Sequence, residues 1–268
     1  MNRIDALFAR LRSEGRKALM PFVTAGDPDL ATTSALIPEM VRRGADMIEV
    51  GLPYSDPIAD GPVIAASYHR ALTRGVDLDG IFEAIRALRA ADRATPMVAM
   101  VSFSIIHRRG VERFLGDVVG SDFDGMIVPD LPIEESASLC RLAGEAGLKL
   151  IQLITPTTPR DRALAIARTT TGFIYYVSVA GITGERRSLP PELASNVAWL
   201  RSQTDLPICI GFGIGTPGQI RDLAPAADGL IVGSALVRRL EGAAGRPREE
   251  IVREIGQFIA DLAEGLRP

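Results

Sequence analysis

MVAMV (Met97–Val101), VERFLGDVV (Val111–Val119), GMIVP (Gly125–Pro129), EESASLCRLAGEAG (Glu134–Gly147), KLIQLI (Lys149–Ile154) and PRDRALAIART (Pro159–Thr169) follow one another, an apolar run and then an amphipathic one, three times. The apolar runs are continuous rather than alternating, the pattern of strands in a parallel sheet covered on both faces. The amphipathic runs have helical spacing. Downstream the unit repeats as GFIYYVSV (Gly172–Val179) with a helix from about Pro191 to Thr204, PICIGFG (Pro207–Gly213) with PGQIRDLAP (Pro217–Pro225), and GLIVG (Gly229–Gly233) with a helical region to Gly265. Upstream, Ile4, Leu7, Phe8 and Leu11 mark an amphipathic helix across one end of the domain, ended by Gly15. ALMPFV (Ala18–Val23) is the first strand, and Asp27 or Asp29 can cap the helix that runs to about Arg43. The strand around Glu49 comes next, then helices over Val63–Arg74 and Leu78–Ala91.

Eight strand-and-helix units in 268 residues fit a closed (β/α)8 barrel of the TIM type better than an open doubly wound sheet. The expected fold is a single barrel domain over 1–268 with an extra N-terminal helix. With 47% hydrophobic residues the chain can fill one large core. A net charge of −3 and scattered arginines provide no field to gather nucleic acid or an anionic membrane. Cys140 and Cys209 form neither a zinc motif nor a disulfide framework and read as small apolar residues. The first apolar run is broken by Asp5, Arg10, Arg12 and Glu14, which fits neither a signal peptide nor a membrane span. The expected location is the cytoplasm.

In such a barrel the working face lies at the C-terminal ends of the strands. There the sequence reads MIEVGLPYSDPIADGP (Met47–Pro62), with Glu49 among apolar neighbours and Asp56 and Asp60 in a proline-stiffened loop. A carboxylate in an apolar strand is costly unless paired or used, and two acids at fixed separation suit a general acid and base. Glu49 and Asp60 are therefore the candidate catalytic residues, although a pinned structural carboxylate at Glu49 and a helix cap at Asp60 are the plainer alternatives. Asp56 reads as a loop-fixing residue, and Asp130 as a turn or interface residue. His69, in a helix, and His107, in a loop, have no partner at metal-ligand spacing and read as non-catalytic; no metal site is expected. Tyr175 in the sixth strand could reach the barrel mouth, while Tyr176 points to the opposite face.

Glycine collects after the last three strands, at Gly181 and Gly184, at Gly211, Gly213 and Gly215, and at Gly233 beside Ser234. Each group alone is compatible with a tight turn. Together they suggest a phosphate site, at the place where barrels of this type hold phosphate. SVAGITGERRSLPPEL (Ser178–Leu193) is too long and polar for a simple connection and reads as a lid after strand six, with a solvated loop as the alternative. Phe22, Ile64, Met100 and Phe212 could form an apolar slot for a flat ring.

The strings PFVTAGDPD (Pro21–Asp29), IEVGLPYSDPIADGP (Ile48–Pro62), PDLPIEE (Pro129–Glu135), GITG (Gly181–Gly184) and GFGI (Gly211–Ile214), in this order over nearly the full length, resemble the α subunit of tryptophan synthase. The resemblance implies a lyase that cleaves indole-3-glycerol phosphate to indole and glyceraldehyde 3-phosphate by a retro-aldol reaction. It implies no metal or organic cofactor in this subunit. By resemblance, Glu49 handles the proton transfers and Asp60 accepts a hydrogen bond from the indole N–H. Tyr175 positions substrate and Glu49; Gly184, Gly213, Gly233 and Ser234 hold the phosphate, with Gly211 a further substrate-binding residue; Phe22, Ile64, Met100 and Phe212 hold the indole. The implied partner is a pyridoxal phosphate-dependent β subunit in an αββα tetramer, facing Asp56, Pro57, the loop after Met100 and the region near Asp130. Ser102 and Ser104 stand where the family often has tyrosine and asparagine, and Ala180 where it commonly has serine or threonine. The expectation is retained cleavage with altered coupling to the partner. A free-standing lyase, a non-catalytic activating scaffold and another sugar-phosphate barrel are the competing readings.

Overall fold

A computed structural model describes residues 1–57, 60–177, 191–211 and 213–267. The elements run α1 (Arg3–Ser13), β1 (Ala18–Thr24), α2 (Leu30–Arg42), β2 (Ile48–Gly51), α3 (Pro62–Thr73), α4 (Leu78–Arg89), β3 (Met97–Met100), α5 (Phe103–Arg109), α6 (Val111–Gly120) and β4 (Gly125–Ile127). After a short 3₁₀ turn at Ile133–Glu135 come α7 (Ser136–Glu145), β5 (Lys149–Ile151), β6 (Leu153–Ile154), α8 (Arg160–Thr169), β7 (Ile174–Val177) and α9 (Pro191–Arg201). The chain continues through β8 (Ile208–Gly211), α10 (Pro217–Leu223), β9 (Gly229–Val232), α11 (Ser234–Leu240) and α12 (Arg248–Glu264).

Every strand pairing is parallel, in the order β5-β4-β3-β2-β1-β9-β8-β7-β6. The two ends of this order are halves of one run, Lys149–Ile154, so the sheet returns on itself and the barrel closes. The expected fifth strand is thus two segments: β4 pairs with β5, β7 pairs with β6, and the Tyr175 N–H donates to the Gln152 carbonyl at 3.1 Å across the break. The physical reason is the tilt of barrel strands, which offers successive stretches of one strand to different neighbours.

Alternate side chains divide the core in two. Leu19, Ile48, Val50, Ala99, Met126, Leu150, Ile174, Tyr176, Ile210 and Leu230 point out against the helices. Ala18, Met20, Val98, Ile127, Ile151, Cys209 and Ile231 point in. The apolar face of α1 (Ile4, Leu7, Phe8 and Leu11) closes the N-terminal end of this inner cluster, with the Phe8 and Phe173 rings 5.8 Å apart. The opposite end, at the strand C-termini, is left for the site.

α1 is fastened by charge as well as by packing. Arg3 Nε lies 2.6 Å from Asp124 Oδ1 and its Nη2 lies 2.7 Å from Asp122 Oδ1. The other Asp124 oxygen accepts from Arg89 Nη2 at 3.1 Å and from the Met97 N–H at 2.9 Å. Arg89 is 3% exposed and Asp124 4%, so removing one partner strands a buried charge. Asp124→Ala is expected to cost about 3–5 kcal/mol in urea unfolding; a loss below about 1 kcal/mol would mean that water replaces the carboxylate.

One local reading changes and one alternative is decided. The segment after β3 is the helix α5, placing His107 on a helix rather than in a loop. Ser102 starts it by accepting from the Ser104 N–H, and Gly110, at φ +88°, separates it from α6. Of the two candidate caps for α2, Asp29 does the capping, accepting from the Thr32 N–H at 2.6 Å, while Asp27 binds Arg70.

Candidate active site

Ile48 and Val50 face the helices, so the residue between them faces the barrel interior. That residue is Glu49, 1% exposed and in register with Phe22 on one side and Val98 on the other. Its Oε2 has no hydrogen-bond partner among the described residues. Neither backbone nor hydroxyl among them pins this oxygen. Burial first, and then the charge of Asp60, pushes the Glu49 carboxyl up to about 8, so it holds its proton at neutral pH.

Asp60 reaches the same space from the loop after β2. Pro62 opens α3 and Gly61 is its N-cap, with no side-chain cap bond. The Asp60 carboxylate is therefore not spent on capping; it accepts from the Tyr54 hydroxyl at 3.0 Å. Burial pushes Asp60 up to about 6, the Tyr54 hydrogen bond opposes this, and the charge of Asp130 adds to it. Near neutral pH the two acids thus stand in different states, Glu49 protonated and Asp60 ionised.

α3 carries the end of this loop and is fixed to β1 by side chains. Arg70 grips Asp27 with both nitrogens, at 3.0 and 2.6 Å, and Arg74 donates to the Pro28 carbonyl at 2.7 Å. Thr24 and Ser67 hydroxyls meet at 2.6 Å, and Ser67 donates onward to the Ile64 carbonyl. Asp56 accepts from Ser55 within the loop. Asp130 accepts from the Ser102 hydroxyl at 2.6 Å and the Phe103 N–H at 2.8 Å, so it secures the start of α5. Ser104 joins this cluster, its hydroxyl 2.7 Å from that of Ser102.

Phe22, Glu49, Asp60, Ile64, Met100, Tyr175, Gly233 and Ser234 line one open cavity at the barrel mouth. Gly211 and Gly213 do not line it. A Cβ on Gly211 would come within 2.5 Å of the Tyr175 hydroxyl, so this glycine makes room for the tyrosine; Gly213, at φ +76°, has open space around it. Gly184, Ala180, Phe212 and the expected lid up to Pro190 lie outside the described residues. Tyr54, Gly61, Ile127, Pro129, Leu153 and Val177 were not singled out from sequence, yet Tyr54 holds Asp60 and the others line the cavity. Tyr54 and Gly61 had a signal in their place inside the acidic loop, and Pro129 in its place at a strand end. His69 and His107 are exposed on helices, away from the lining. Among the described residues there is no group of three or more His, Cys, Asp or Glu that could hold a metal ion, and no helix long and apolar enough to cross a membrane.

A closed parallel barrel with a mostly apolar, two-carboxylate cavity at its strand C-termini is of the (β/α)8 TIM class. The family model described as tryptophan synthase alpha chain matches residues 8–265. A tryptophan synthase alpha chain from Rhodopirellula baltica is 49% identical over 275 residues, covering 99% of each chain. The tryptophan synthase subunit alpha of Legionella pneumophila str. Paris superimposes with a TM-score of 0.90 at 35% identity, covering 99% of this chain and 98% of that one. A chain of the tryptophan synthase complex from Pyrococcus furiosus superimposes with a TM-score of 0.85 at 33% identity, covering 93% of this chain and 98% of that one. The chain belongs to the tryptophan synthase alpha chain family.

Proposed function

We propose that this chain cleaves indole-3-glycerol phosphate to indole and glyceraldehyde 3-phosphate, and that Glu49 and Asp60 carry the reaction. The supporting observation is the pair itself: a buried acid that keeps its proton near neutral pH, beside a second acid that has lost its own. Protonated Glu49 gives its proton to indole carbon 3, which becomes tetrahedral as positive charge spreads to the ring nitrogen. Asp60 accepts the indole N–H hydrogen bond and stabilises that charge. The bond from carbon 3 to the glycerol chain then breaks, its electrons returning to the ring. The adjacent glycerol hydroxyl becomes the aldehyde and its proton passes to Glu49, restoring the starting state.

Phe22, Ile64 and Met100, with Phe212, hold the indole, and Tyr175 positions substrate against Glu49. Gly213, Gly233 and Ser234, with Gly184, surround the phosphate; Gly233 offers no side-chain cap to α11, which leaves backbone donors there for an anion. Gly211 acts here through Tyr175. The chain acts as one barrel domain, in the cytoplasm, without a cofactor of its own. It delivers indole to a pyridoxal phosphate-dependent β subunit in an αββα assembly, a partnership supported by the Pyrococcus furiosus relative, which was solved as a synthase complex. The hydrogen-bonded cluster of Ser102, Ser104 and Asp130 lies on the face expected to meet that partner, and altered coupling follows from it.

The test is indole release from indole-3-glycerol phosphate by the purified chain, with and without a tryptophan synthase β chain. Slow release that rises with the partner supports the reading. Fast release alone points to a free-standing lyase, and none under either condition removes the proposed substrate.

A further inference from the structure

Among the described residues, two buried polar atoms at the mouth have no hydrogen-bond partner: Glu49 Oε2 and the hydroxyl of Tyr68. Tyr68 is fully buried on α3. It lies behind the cavity wall, in a cluster with Phe22, Ile64 and Val237, and its ring tilts against that of Tyr54 at 5.4 Å. Its hydroxyl would come within 2.9 Å of a Cβ built on Gly51. Gly51 is two residues beyond Glu49 on β2, so that Cβ position and the Glu49 side chain share the inward face of the strand. An ordinary tyrosine buried for packing keeps its hydroxyl hydrogen-bonded. This one sits against Gly51, one inward position beyond Glu49 on β2.

We propose that Tyr68 is a positioning residue for Glu49, its hydroxyl donating, directly or through one water, to the carboxylate that forms when Glu49 has given up its proton. This rests on the reaction proposed above. Tyr54 serves Asp60 and Tyr68 serves Glu49, two hydroxyls for two acids, both delivered by the loop and helix that follow β2. Other groups act on the same centre. Asp60 and Tyr54 approach from the loop; Tyr175 on β7 and Cys209 on β8 interact electrostatically with Glu49 from across the barrel; and Asp130 acts on Asp60 from the loop after β4. Burial and the negative groups around it push the Tyr68 hydroxyl up, so it remains a donor throughout the working range.

Tyr68→Phe keeps the ring and deletes only the unpaired hydroxyl, so the fold is retained. The expected result is a fall in kcat of about tenfold with KM unchanged, and movement of the alkaline limb of the rate profile to higher pH, because the Glu49 carboxylate has lost a donor. Tyr54→Phe, by contrast, acts through Asp60. A direct reading that needs no turnover is the ¹³C titration of the Glu49 carboxyl in glutamate-labelled protein, assigned by its absence in Glu49→Gln. An upward shift of that titration in Tyr68→Phe supports the inference even if the wild-type chain releases no indole, an outcome that would remove the reaction but not the link. An unchanged titration overturns the inference whatever the rate does.

Discussion

Glu49→Gln is expected to reduce indole release by about 10³-fold or more, within the range of a lost general acid and base. The amide fills the same volume but can neither protonate carbon 3 nor take up the glycerol proton, and among the described residues no carboxyl other than Asp60 lines the cavity with it. The same substitution is expected to stabilise the fold at alkaline pH. Glu49 titrates at about 8 in the folded chain against 4.5 ordinarily. Between those values the folded state binds a proton that the unfolded state has released, so wild-type stability falls as pH rises through this window. At about 1.4 kcal/mol per pH unit, the variant's advantage grows to on the order of 4 kcal/mol by pH 8 and disappears below pH 4.5. Thermal or urea unfolding at pH 4.5 and 8 checks it. Equal stability at both would mean that Glu49 finds a hydrogen-bonding partner or solvent when it ionises.

Asp60→Asn is expected to lower kcat/KM by about 10²–10³-fold, the usual cost of losing one group that faces developing charge. The asparagine can still accept from the indole N–H, but it brings no negative charge to oppose the positive ring. It has a second, separable effect. The charge of Asp60 is one of the two causes that raise Glu49, so removing it draws the Glu49 titration, and with it the alkaline limb of the profile, to lower pH. A variant that loses rate without moving that limb would mean that the two acids do not sense each other. The acid limb is less diagnostic, because a substrate phosphate monoester itself titrates near 6.

How much of this was legible in the residues depends on what each position must satisfy. The barrel was legible because continuous apolar strands and amphipathic helices alternate at nearly constant spacing, and the period survives the break at Gln152. Glu49 was legible because an acid between Ile48 and Val50 has no plain reason to be there. Helix α5 was not, since it is short and ends in His107, Arg108 and Arg109; its start depends on Ser102 and a residue far along the chain, Asp130. Asp27 and Asp29 look alike before a helix, and only the arrival of Arg70 from α3 separates them. Gly211 resembles a phosphate glycine in sequence but is required by the Tyr175 ring, a contact between two strands. Tyr68 sits four residues after Ile64 at core spacing, so nothing in its spacing separates it from an ordinary core residue; its hydroxyl matters only through the absent side chain of Gly51.

The pH dependence of kcat/KM for indole release, measured from pH 5 to 9.5 in the wild-type chain, tests the central claim most directly. A protonated Glu49 beside an ionised Asp60 predicts a bell whose alkaline limb falls near pH 8, where the substrate has no titrating group of its own. A profile that stays flat through pH 9, or one that rises through pH 8, would contradict it, for then the active form of Glu49 is not the acid.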